Sequence, residues 1–86
     1  MFKTDIEFSK NTLYIDVEGP VNKKNIQKLK RKLYYIVEEY SIGDVVLNVE
    51  KGKDIDEQAL YNFLDEFDEI YGGNITIMDN EWYNLL

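Results

Sequence analysis

Asp54, Asp56 and Glu57 place three carboxylates in one short stretch, followed at once by Gln58 and soon after by Tyr61. Hard oxygen ligands this close together suit calcium or magnesium, and a carboxylate pair suits acid–base work. The spacing argues against both. An EF-hand loop needs a central glycine and a distal glutamate, and the chain has neither at the required offset. With seventeen acids among 86 residues, carboxylates meet as neighbours by chance. No metal and no cofactor is expected.

Catalysis lacks its other parts as well. The chain has no histidine and no cysteine, which removes the commonest general base, the thiolate nucleophile and the best zinc ligands. Ser9, Ser41, the threonines and the tyrosines are left with no imidazole to activate them. Gly19-Pro20 and Gly72-Gly73 read as punctuation, not as a phosphate-cradling loop. The sequence therefore predicts a protein that is not an enzyme. Two compatible readings of the acids remain. They cap a helix and complement its positive end, worth ~0.5–2 kcal/mol, or they form an exposed corner that meets a partner.

Composition sets the frame for these residues. An apolar share of 44%, with 14% aromatic, is ample for a packed core despite a net charge of −7. Eighty-six residues close one core, so a single domain over 1–86 is expected. No apolar run approaches the roughly 20 residues needed to cross a bilayer. The start, Met1-Phe2-Lys3-Thr4-Asp5, lacks the basic and apolar stretches of a signal peptide. A cytoplasmic protein follows, with neither membrane nor nucleic acid as partner, since phosphate binding needs a concentrated positive surface. Charge is nevertheless segregated: six of ten basic residues lie in 23–32, and eleven of the acids lie in 38–69. A basic helix and an acidic one are expected, either as solvated faces or as a means of steering a charged partner.

The elements that position the acids follow from periodicity. Phe2, Thr4, Ile6 and Phe8 alternate with polar residues, as do Leu13, Ile15 and Val17, and Ser9-Lys10-Asn11 between them predicts a hairpin. Gly19-Pro20 ends the second strand, and Asn22 caps a helix from Lys23 to about Tyr40. Its apolar stripe is Ile26, Leu29, Leu33, Ile36, Val37 and Tyr40. The basic start and acidic end of this helix oppose its dipole, a cost of ~0.3–1 kcal/mol per terminal charge. Val45-Val46-Leu47-Asn48-Val49 reads as a strand covered on both faces, and Lys51-Gly52-Lys53 as a loop. Asp54 and Asp56 are alternative caps for a second helix, Asp54 standing at capping-box distance from Glu57. That helix buries Leu60, Phe63, Leu64, Phe67, Ile70 and Tyr71, and stops at Gly72-Gly73. A fourth strand, Asn74-Ile75-Thr76-Ile77-Met78, precedes a tail in which Trp82, Leu85 and Leu86 either cap the core or leave an apolar patch that pairs two copies or meets a partner. Tyr14, Tyr34, Tyr35 and Tyr61 fall at least partly outside the stripes, and Tyr61 is best placed for an interface. The fold class is α/β: a β-β-α-β-α-β mixed four-stranded sheet packed with two amphipathic helices.

From Thr12 to Asp79, roughly four-fifths of the chain, these residues resemble the STAS domain, the fold of bacterial anti-sigma-factor antagonists. Leu13-Tyr14-Ile15-Asp16-Val17-Glu18-Gly19 looks like that family's second strand, and Pro20-Val21-Asn22 sits where the family runs into its helix cap. The stretch 44–50 is similar to the central strand, and Gly72-Gly73 to the glycine pair before the fourth strand. Asp56-Glu57-Gln58-Ala59-Leu60 falls on the signature Asp-Ser-Ser/Thr-Gly-Leu. Gln58 stands where the phosphorylated serine belongs and Ala59 where the glycine belongs, so the resemblance implies a relative without the phosphoserine switch. The chain also ends before the family's closing elements, which implies a trimmed relative. As function, the resemblance implies a non-enzymatic, cytoplasmic, regulatory protein-binding module. Its partner would be an anti-sigma factor of the histidine-kinase-like type, docking on Gly19, Asn22, Asp54, Asp56, Glu57, Gln58 and Tyr61. The alternative is a self-associating or structural subunit, a homodimer with the C-terminal tail and a sheet edge as interface.

Overall fold

A computed structural model describes residues 1–72 and 74–78. The elements run β1 (Lys3–Ser9), β2 (Thr12–Pro20), α1 (Lys23–Tyr40), β3 (Asp44–Lys53), α2 (Glu57–Tyr71) and β4 (Asn74–Met78). The expected order β-β-α-β-α-β is therefore found. The sheet order is β1-β2-β3-β4, with β1 antiparallel to β2 and the other neighbours parallel. Lys10 and Asn11, both at positive φ, make the two-residue turn whose twist matches a hairpin.

Two crossovers that step the same way across a sheet, each right-handed, must leave both helices on one face. That is where they lie. Leu13, Ile15 and Val17 of β2, with Val45, Leu47 and Val49 of β3, meet Leu29, Leu33 and Val37 of α1 and Leu60, Phe63 and Phe67 of α2 in one buried cluster. β2 accordingly alternates buried and exposed residues along its length. The expectation that β3 is covered on both faces is corrected among the described residues: Val46 and Asn48, on the other face, keep partial access to solvent. An apolar run identifies a central strand, but it does not say how many layers cover it.

Other boundaries shift for traceable reasons. Lys51-Gly52-Lys53 is not a loop, because these residues pair with Glu18, Gly19 and Pro20, so β2 also continues through Gly19-Pro20. The register slips by one residue after Asp16, and the extra residue is taken up in β3, where the Asn48 side chain accepts from Glu50 N–H at 2.9 Å. Tyr40 and Ile70, assigned to the helix stripes, are exposed, 68% and 54%. Both sit at helix C-termini, where the stripe runs off the end of the sheet. The left-handed caps are Ser41 and Gly72, and the Gly72 N–H closes on the Asp68 carbonyl at 2.9 Å. The expected turn holding Trp82, Leu85 and Leu86 lies outside the described residues, as does Gly73.

Tyr34, expected at least partly outside the stripes, keeps partial access to solvent. It is half-buried between the helices, its ring 6.4 Å from Phe63, 6.2 Å from Phe67 and 5.0 Å edge-on to Tyr71. Lys30 Nζ lies 5.9 Å from the same ring and pairs with Glu66 at 2.8 Å, which ties α1 to α2. The Tyr34 hydroxyl is buried with no hydrogen-bond partner among the described residues. Burial first, then the Glu66 charge, pushes its pKa up to about 12.

Two measurements check this core. Phe67→Ala removes the largest fully buried side chain and should lower the unfolding free energy in urea by ~3–5 kcal/mol, whereas the exposed Tyr40→Ala should cost less than ~0.5 kcal/mol. In an alkaline titration of tyrosinate absorbance, Tyr34 should ionise in a step near pH 12. Its folded-state pKa lies above the unfolded value of 10.0, so the associated stability is complete below pH 10 and is lost as pH rises through about 12. Tyr34→Phe should delete the step near pH 12 and flatten that loss.

Candidate functional site

The C-terminal ends of β2 and β3 and the N-termini of both helices gather at one end of the molecule. In open parallel sheets such ends hold ligands in a crevice where the strand order reverses. Here β2, β3 and β4 follow one direction without reversal. Among the described residues the strand ends therefore offer no switch-point crevice, and the loops close into a corner.

Backbone hydrogen bonds fix that corner. Val21 N–H donates to the Lys53 carbonyl at 3.0 Å, and Asp56 N–H donates to the Val21 carbonyl at 2.9 Å. The 19–22 loop and the start of α2, far apart in sequence, are thereby joined. Asn22 caps α1, its side-chain oxygen accepting from Asn25 N–H at 2.8 Å. Asn25, which the sequence reading passed over, is buried and donates its side-chain amide to the Pro20 carbonyl at 2.8 Å. A polar residue one turn beyond an asparagine cap, inside an otherwise apolar stripe, was the available signal.

Of the two candidate caps, Asp56 caps α2: its carboxylate accepts from Ala59 N–H at 3.0 Å. Asp54 instead takes a left-handed φ of 48° one residue beyond β3, so the proposed box with Glu57 does not form. Asp54, Asp56, Glu57, Gln58, Asn22 and Tyr61 are all exposed, and Gln58 donates to the Asn62 side chain at 3.3 Å. Gly19 lies apart from them, buried at φ 98° with the Met1 backbone against it. A Cβ there would run into the Met1 carbonyl oxygen. Its part is to let two backbones approach.

Beside the acids, α1 and α2 leave a shallow groove of about 200 Å³ with Lys23 and Gln27 on one side and Ala59 and Asn62 on the other. The corner thus shows carboxylates, amides, an ammonium and the Tyr61 ring on a fixed frame. Hydrogen bonding, ion pairing and ring stacking are within its means. Among the described residues no three acidic side chains converge as a metal site would require.

The frame makes two stability predictions. Asp56→Ala should cost ~0.5–2 kcal/mol through loss of the cap. At Gly52, an added Cβ would lie 2.8 Å from Val21 Cγ2 and 3.0 Å from the Val49 carbonyl oxygen. Gly52→Ala should therefore cost ~1–3 kcal/mol by overpacking, read as a lower urea midpoint at unchanged slope.

No model of a protein family matches the chain, and no curated protein matches it in sequence. The architecture does have a counterpart among solved structures. The crystal structure of an antisigma-factor antagonist, a STAS domain from Rhodobacter sphaeroides, superposes with a TM-score of 0.65 at 20% identity. The match covers 90% of this chain and 85% of that one. Strand order, helix placement and this superposition agree: the chain has the fold of the STAS domain.

Proposed function

We propose that this protein is a non-enzymatic docking module that binds another protein through the corner formed by the 19–22 loop and the start of α2. One observation carries the reading. The two hydrogen bonds at Val21 hold six exposed polar or aromatic side chains on a single frame, so little backbone order remains to be imposed on binding. Tyr61, 60% exposed beside the acids, supplies the broad contact surface typical of interface anchors. The absence of histidine and cysteine from the sequence supports recognition over chemistry.

The STAS fold, found in a protein described as an antisigma-factor antagonist, favours as partner an anti-sigma factor of the histidine-kinase-like type. Gln58 and Glu57 occupy the serine positions of the signature, so phosphorylation at those positions does not switch the contact. A second reading, self-association, draws on β1, an edge strand whose Ile6 and Phe8 are 37% and 55% exposed.

Capture from native extract, followed by direct titration of the captured protein, tests the corner. Tyr61→Ala and Glu57→Lys leave the caps intact and should each weaken binding at least about tenfold, ~1.4 kcal/mol or more. Undiminished affinity in both variants would remove the corner from the interface. Light scattering that returns a dimer broken by Phe8→Lys would favour the second reading instead.

A further inference from the structure

We propose that the groove between β1 and α1 binds a small amphipathic anion, a phosphate or carboxylate group carried on an apolar body. This groove lies on the side of α1 away from α2, so the proposal stands apart from the docking corner. Its volume is about 550 Å³, within the ~300–1,000 Å³ usual for small-ligand sites. Phe2, Lys3 and Thr4 form one wall, and Lys28, Leu29, Arg31 and Lys32 form the other.

The charge of this groove is the unusual feature. The protein carries seventeen acids, yet none lines it. Asp5 and Glu7 of β1 stand in register with Asp16 and Tyr14 on the opposite sheet face. Lys28 and Arg31 make no hydrogen bond or ion pair among the described residues. Lys24, Lys28 and Lys32 follow one another at helical i, i+4 spacing, where like charges repel by ~0.2–0.5 kcal/mol per pair. A bound anion relieves that repulsion.

The head and body of the ligand each have a place. Lys32 Nζ donates to Thr4 Oγ1 at 3.1 Å across the groove. The Thr4 hydroxyl accepts that bond and keeps its own proton to donate, so an anion beside the pair meets an ammonium and a hydroxyl, with Arg31 on the same wall of the groove. Behind these groups lie Leu29, 2% exposed, and the half-buried Phe2 ring. An apolar floor selects an anion with an apolar body over a bare inorganic one. Nucleic acid is disfavoured by the net charge of −7 and by the carboxylates on the adjoining sheet face.

The test is titration of the isotope-labelled full chain with hexyl phosphate, followed by backbone amide resonances, with inorganic phosphate and hexanol as comparators. Hexyl phosphate should give saturable shifts centred on Thr4, Leu29 and Lys32, weakening as salt is raised. Inorganic phosphate should bind at least about tenfold more weakly, because it leaves the apolar floor unused. The exposed double variant Lys28→Glu/Arg31→Glu should lose about tenfold or more in affinity with its remaining spectrum intact, and Thr4→Val should lose less. Equal, non-saturating responses to hexyl phosphate and inorganic phosphate would overturn the proposal, as would undiminished binding by the double variant. A response only to anionic phosphatidylglycerol vesicles would also overturn it, assigning the surface to a membrane.

Discussion

Val21 is held by both of its backbone groups, and the rest of the molecule is arranged around that restraint. Its N–H reaches the end of β3 and its carbonyl reaches the start of α2, so two strand-to-helix turns become one piece. Its side chain, 1% exposed, fills the space that Gly52 leaves empty. Glycine at 52 is thus a packing requirement, since a Cβ would displace Val21 and with it the hydrogen bonds on either side. Asn25 reinforces the arrangement by holding the Pro20 carbonyl just upstream. The exposed side chains at this end are carried on a backbone determined several times over.

The same restraint explains what could and could not be read from the sequence. Helix α1 was legible from Lys23 to about Tyr40, because Asn22 caps it and an apolar residue recurs at each turn. These are local signals. The extension of β3 through Lys53 was not legible, because Lys51-Gly52-Lys53 has the composition of a loop and becomes strand only by pairing with residues more than thirty positions away. Exposure at Tyr40 and Ile70 was hidden for a similar reason: periodicity assigns a face, and only the length of the sheet beneath decides where that face stops being covered. Tyr34 shows the converse, a residue off the main stripe half-buried because a second helix leans over it.

At the candidate site the residues were legible and their division of labour was not. Two aspartates separated by one residue are equivalent caps on paper. The left-handed φ of Asp54, one position beyond β3, turns the chain so that Asp56 reaches the first free N–H groups. Gly19 was grouped with the contact residues from its place in the motif, whereas its burial beneath the Met1 backbone makes it a spacer that sets how close β2 and the N-terminal segment come. Resemblance pointed to the corner as a candidate. Backbone geometry decided which of its members face outward.

Charge contributes little to holding the two helices together. One ion pair, Lys30 with Glu66, joins α1 to α2 among the described residues, and both partners are partly solvated, so it is worth ~0.2–1 kcal/mol. The α1 dipole is opposed at both ends, with no acid in its first turn and no base in its last. Helix α1 therefore exists because Ile26, Leu29, Leu33 and Val37 are buried and because Tyr34 meets Phe63, Phe67 and Tyr71. Burial of such side chains stabilises by ~1.5–3 kcal/mol each, several times the electrostatic cost. A fold secured in this way can keep a cationic stripe on one side of α1 and carboxylates at the start of α2. Neither set has to neutralise the other.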